Sequence, residues 1–163
     1  MTTTTIRNQR DMQAFVDEIA GATPKIRWEA HLADESEKLD RVYGRYFASK
    51  TGPDGSQWAK NAKSTIKAKG HARQLFGKPS LGFRLHKSLT TRNGAFSVRY
   101  EIDHWPERAT LIHGTDAPYS VYNDQGTRFI PARRHIGISG QYFDGVAQRG
   151  VDYAFDRFKK LLA

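Results

Sequence analysis

Asn93-Gly94-Ala95-Phe96-Ser97-Val98-Arg99-Tyr100-Glu101-Ile102 is the stretch on which the fold class turns. Phe96, Val98, Tyr100 and Ile102 alternate with Ser97, Arg99 and Glu101. That is the period-two pattern of a half-buried strand, and Asn93-Gly94 is a dipeptide whose positive φ angles suit a two-residue hairpin turn. The spacing therefore predicts that residues 85–92 and 95–102 pair antiparallel. Trp105-Pro106 turns the chain again, and residues 108–113 alternate well enough for a third strand, giving a meander with one buried face. Gly114 to Pro118 then breaks the pattern.

Helical periodicity lies on both sides of this meander. Residues 1–7 are polar and expected to fray, after which Met12, Phe15, Val16 and Ile19 fall at i, i+3, i+4, i+7, one face of a short helix. Gly21 stops it, and Thr23-Pro24 supplies an N-cap and a first-turn proline for a longer helix. Trp28, Leu32, Leu39, Tyr43 and Tyr46, with Val42 and Phe47 alongside, continue its apolar stripe to about residue 49. Residues 51–82 read as an extended basic loop, with one helical turn near 62–69. At the far end Ser139 precedes an amphipathic run with Phe143, Val146, Ala147, Val151, Ala154, Phe155, Phe158 and Leu162 on one broad face. The order predicts an α+β domain: an antiparallel β-meander packed against two or three helices, with one long basic loop. Residues 1–163 make a single domain.

The chain of 163 residues carries 26 Lys plus Arg against 17 Asp plus Glu, and no cysteine. No disulfide framework, thiolate nucleophile or zinc finger is possible without cysteine. The opening Met-Thr-Thr-Thr-Thr lacks a basic end followed by an apolar run, so neither a signal peptide nor a membrane span is expected. Hydrophobic residues make up 38%, a modest core for which oligomerisation would compensate. The net charge of +9 is local: residues 55–100 hold ten basic side chains and no acid, leaving the remainder at −1. Such a segment attracts nucleic acid or an acidic protein surface, and equally fits a solvated basic face. Lys60, Lys63, Lys67, Lys69 and Arg73 are its candidates for contact with DNA or an acidic partner, interleaved with the aromatic Trp58, Phe76 and Phe83.

Catalytic patterns are weak. Gly137-Ile-Ser-Gly-Gln141 lacks the final glycine of a nucleophile elbow, and Ser139 reads better as an N-cap. Gly77-Lys-Pro-Ser80 lacks the spacing of a phosphate loop. None of the six histidines forms an i, i+4 pair on a helix, which argues against a metal site. Asp152 and Asp156 read as ordinary helix ion-pair partners. No catalytic residue, metal ligand or cofactor is assigned.

Three further stretches bear on function. Gly52-Pro-Asp-Gly-Ser-Gln-Trp58, then Leu85-His-Lys-Ser-Leu89, then Tyr119-Ser-Val-Tyr-Asn-Asp-Gln-Gly-Thr127 followed by Ile130-Pro-Ala-Arg-Arg-His-Ile-Gly137, together resemble the virion-morphogenesis and tail-completion proteins of tailed bacteriophages, including Mu-like phages. The resemblance spans about residues 50–163. It implies a non-enzymatic structural subunit forming a ring, commonly hexameric, at the head–tail neck or the head-proximal end of the tail. It further implies copies of itself and neck, connector and tail-tube proteins as partners, genomic DNA in the channel, and a place in the virion after assembly in the host cytoplasm. Trp58, Tyr119, Tyr122, Gln125, Gly126, Arg133 and Arg134 are then the expected interface residues, with Trp58 reading equally well as a core plug. The alternative is a nonspecific DNA-binding or packaging accessory protein.

Overall fold

The computed structural model describes residues 26–77, 84–104 and 108–161. In chain order they form helices α1 (Glu29–Ser49), α2 (Lys63–Lys69) and α3 (Arg84–Thr90), strands β1 (Ser97–His104) and β2 (Arg108–Thr115), and helices α4 (Ser120–Gln125) and α5 (Gly140–Leu161). The expected helix at 12–19, the Thr23-Pro24 start and the Trp105-Pro106 turn lie outside the described residues. The architecture is α+β, with α1 and α3 laid against a β1–β2 hairpin.

The meander is two-stranded. β1 and β2 pair antiparallel from Ser97 opposite Thr115 to His104 opposite Arg108, but of residues 85–92, expected as a strand, 85–90 belong to helix α3. Leu85, Ser88 and Leu89 are all buried and lie at i, i+3, i+4, so one helical face plugs the core. Ser88 settles its hydroxyl 2.8 Å from both the Leu85 carbonyl and the Thr115 hydroxyl. Asn93-Gly94 therefore joins a helix to a strand. Gly94 is needed for close approach, because a Cβ there would collide with the Lys87 carbonyl.

The hairpin alternates as expected, and at its described end a polar pair faces the helices. Arg99 and His113, directly opposite in register, turn toward α1, where the Asp40 carboxylate lies 2.8 Å from Arg99 Nη2 and 3.5 Å from His113 Nε2. The Arg99 side chain is only 3% exposed. Tyr43 stacks on the His113 ring at 5.1 Å. Ile112, on the other face, is left exposed. A polar pair is tolerated on the covered face where it finds partners, and Asp40 provides them here.

The apolar core joins Tyr43 and Phe47 of α1, Trp58 and Leu75 of the long connection, Leu85 and Leu89 of α3, and Ala117. Helix α2 confirms the helical turn read in the long basic segment and buries none of its residues.

Helix α5 begins as expected, with the Tyr142 amide donating to Ser139 Oγ at 3.2 Å. Its packing differs from expectation, because no residue of α5 is buried. It meets α1 along a polar and aromatic edge. Arg149 forms a forked pair with Glu35 at 2.7 Å for both bonds, and Tyr153 stacks on His31 at 4.9 Å and lies 5.5 Å from Trp28. The apolar face with Phe143, Val151 and Phe155 points away from the chain, Phe155 being 62% exposed.

Glu35 makes this attachment pH-dependent. Burial alone pushes its carboxyl up, but hydrogen bonds and charge from Arg149 and Lys38 outweigh burial and hold it down at about 2. A folded value below the unfolded one stabilises the fold above the unfolded value of 4.5, and that stabilisation disappears as pH falls through the folded value. Urea unfolding should therefore show a loss on the order of 2 kcal/mol from this group between about pH 5 and about pH 2. Glu35→Gln should flatten the acid limb, and an unchanged limb rules Glu35 out as its source. His31, His86 and His135 are held below the ordinary imidazole range, burial being the largest cause for each. The unfolded chain takes up those protons first, so stability also declines as pH drops through about 6.5.

Candidate functional site

Two remote loops are tied together beside the core. In the first, Gly52 N–H donates to the Ser56 carbonyl at 2.8 Å, and Asp54 Oδ1 accepts from the Ser56 amide and hydroxyl at 3.0 and 2.6 Å. This turn presents Trp58 inward. Trp58 is buried edge-on against Phe47 at 5.4 Å, and its Nε1 donates to the Arg134 carbonyl at 2.7 Å. Of the two readings of Trp58, the core plug is the one found.

Arg133 completes the tie. Its Nε donates to the Ala59 carbonyl at 2.8 Å and its Nη2 to the Lys60 carbonyl at 3.2 Å, with the residue buried. Arg133, named among the expected interface residues, uses these donors within its own chain. A guanidinium spans two adjacent carbonyls because its donors diverge in a fixed plane. Arg134 points outward, 4.0 Å from Asp54.

The second loop, 119–136, forms a platform. Gly126 adopts φ +79°, and the chain then turns back with Thr127 N–H donating to the Ile130 carbonyl at 2.7 Å. Thr127 Oγ1 accepts from the amides of Phe129 and Ile130 at 3.2 and 3.1 Å. This turn thrusts Phe129 into solvent at 86% exposure, beside exposed Ile130. Tyr119, Val121, Tyr122 and Gln125 of the α4 region are exposed as well. The sequence reading found Tyr119, Tyr122, Gln125 and Gly126 and missed Phe129 and Ile130. An apolar pair inside a turn-forming stretch was the available signal.

Beneath the platform Ser120, His135 and Asp124 come together in an arrangement that invites comparison with a catalytic triad. Ser120 Oγ lies 3.1 Å from His135 Nε2. His135 Nδ1, however, is 2.9 Å from the Arg133 carbonyl and 3.5 Å from Asp124. Asp124 Oδ1 instead accepts from the amides of His135 and Ile136 at 2.8 and 3.2 Å. Ser120 and His135 are both buried, so no acyl group reaches the hydroxyl. The cluster is a clasp that fixes the loop. Among the described residues no group of three His, Asp or Glu side chains is placed to hold a metal ion, and no helix is long and apolar enough to cross a membrane.

The basic candidates divide. Lys60 and Lys69 line a cavity of about 580 Å³, joined there by Arg84 and Arg133, while Lys63, Lys67 and Arg73 lie outside it. No carboxylate lines this cavity among the described residues. Burial, followed by the charge of Arg133, pushes the Lys69 ammonium down. Apolar walls come from Leu75, Phe76, Leu85, Ile130 and Pro131.

Comparison with known proteins yields no relative. No family model matches the chain, and no curated protein or solved structure matches it. The functional reading therefore rests on the residues themselves.

Proposed function

We propose that the chain is a structural subunit of a tailed-bacteriophage virion, forming a ring at the head–tail neck or the head-proximal end of the tail. The observation that carries this reading is the pair of separate apolar surfaces on one small chain: the 119–136 platform and the outward face of α5. Extended apolar patches mark interaction sites. Two different surfaces on one subunit suit head-to-tail contact, which closes into a ring when the rotation per subunit permits. The proposed place of that ring, its neck, connector and tail-tube neighbours, and DNA running through it are what the resemblance of residues 50–163 to tail-completion proteins implies.

Electron microscopy of the purified chain, alone and in virions, tests the proposal. Closed rings near physiological salt and labelling at the head–tail junction are expected. A chain that forms no oligomer and is absent from particles overturns it.

A second reading, a nonspecific DNA-binding or packaging accessory protein, is favoured by the cavity's charged lining residues, Lys60, Lys69, Arg84 and Arg133, all being cationic. It requires affinity for DNA that falls steeply with salt and weakens when Lys60, Lys63, Lys67 or Lys69 becomes Ala. Salt-insensitive binding rejects it.

A further inference from the structure

The cavity and the α5 face complement one another in polarity and in charge. The cavity gathers Lys60, Lys69, Arg84 and Arg133 around an apolar floor of Leu75, Phe76 and Leu85. Bringing cations together in a half-buried recess without an acid is unfavourable, and an incoming carboxylate relieves it.

Helix α5 offers such a carboxylate beside an apolar anchor. At 100° per residue, Val151, Asp144 and Asp152 lie within about 60° of Phe155 around the helix axis. All four are exposed, and Asp152 is steadied by Gln148 Nε2 at 2.9 Å. Exposed Lys159 lies on the same side, one turn beyond Phe155, so the acid of this face sits at its Asp144–Asp152 end, and Arg149 is engaged with Glu35. No residue of α5 lines the cavity, so the two surfaces are separate on one subunit and a second copy can join them.

We propose that the basic cavity of one subunit receives the α5 face of a second copy, with Phe155 entering against Leu75, Phe76 and Leu85 and the Asp144 and Asp152 carboxylates meeting Lys60 and Arg84. The inference rests on the ring reading and specifies its contact. Phe76 is already stacked on His86 at 4.7 Å and abuts Phe47 at 5.5 Å, while exposed Tyr119 and Phe129 also line the cavity. A second copy is the favoured occupant because its Asp144 and Asp152 carboxylates complement the cavity's cations, whereas a nucleic-acid strand is an outcome of the test. The contact is heterologous, cavity to helix, so each subunit keeps one free surface of each kind until the ring closes.

Sedimentation velocity on two full-length variants tests this: Phe155→Ser, and the double variant Lys60→Glu/Arg84→Glu. All three positions are exposed, so the fold survives, and far-UV circular dichroism and melting verify it. Each variant should weaken self-association at least about 30-fold. The Phe155 variant keeps an intact cavity and the double variant an intact helix, so mixing them should yield a 1:1 heterodimer that grows no further.

Wild-type-like assembly by both variants, or failure of the mixture to pair, overturns the docking while leaving the ring reading standing. Rings that persist while the double variant loses salt-dependent affinity for a single-stranded oligonucleotide assign the cavity to nucleic acid and overturn the docking. A wild-type chain that is monomeric and absent from particles overturns both.

Discussion

Trp58→Ala should lower the unfolding free energy by about 3–5 kcal/mol, the range for emptying a large aromatic from a packed core. The ring is buried against Phe47 and belongs to the core formed with Leu75, Leu85 and Leu89. Alanine also leaves the Arg134 carbonyl without the indole donor that reaches it at 2.7 Å, which adds about 1 kcal/mol where water cannot replace the bond. Trp58→Phe separates the two effects, since it keeps much of the ring volume and removes the N–H. Urea unfolding provides the measurement. A loss below about 1 kcal/mol for Trp58→Ala would place the side chain outside the core. If the chain forms the proposed ring, stability and assembly should fall together in this variant, because Trp58 is buried in the core and not on the surface.

The second large effect is expected at Gly126. Its φ of +79° excludes most side chains, and a Cβ there would lie 2.7 Å from the Ala132 amide nitrogen and 3.0 Å from the Ile130 carbonyl oxygen. Both neighbours are backbone, so relief requires moving the chain. Gly126→Val should cost about 2–4 kcal/mol from left-handed backbone strain and this clash together. For a chain of this length that corresponds to a fall of roughly 4–16 °C in melting temperature. Gly126→Ala, which places the same Cβ, should retain at least half of the loss. If alanine is tolerated without change in melting temperature, the turn at 126 does not have this geometry in solution. Since the turn sets the projection of Phe129 and Ile130, both variants should also impair ring formation.

Legibility in the sequence followed how local each determinant was. The long α1 stripe, the turn of helix at 63–69, the start of α5 at Ser139 and the alternation of β1 all depend on neighbours within a few residues, and all were readable. Residues 85–90 were misread because Leu85-His-Lys-Ser-Leu89 followed by Asn-Gly satisfies the local signs of a hairpin, while the burial of Leu85, Ser88 and Leu89 on one face depends on Phe47, Trp58 and Thr115. Asp40 partners the polar pair that faces the helices, and it lies 59 residues from Arg99. The α5 face was legible as apolar, but periodicity cannot say whether a partner lies in the same chain. At the site, Gly126 announced a special backbone position. Arg133 could not announce that its fork closes on carbonyls 73 and 74 residues away.

That last distance has a consequence for synthesis. Phe47 and Trp58 emerge close together and can meet at once, but the acceptor for the indole N–H is made 76 residues later. At about 5–20 residues per second the interval is roughly 4–15 s. Throughout it the 51–77 segment lacks the carbonyl and guanidinium bonds that fix it, and its aromatic residues are open to other chains. The 51–77 segment is fixed only when residues 133–135 arrive, so the completed fold cannot exist before most of the chain has been translated.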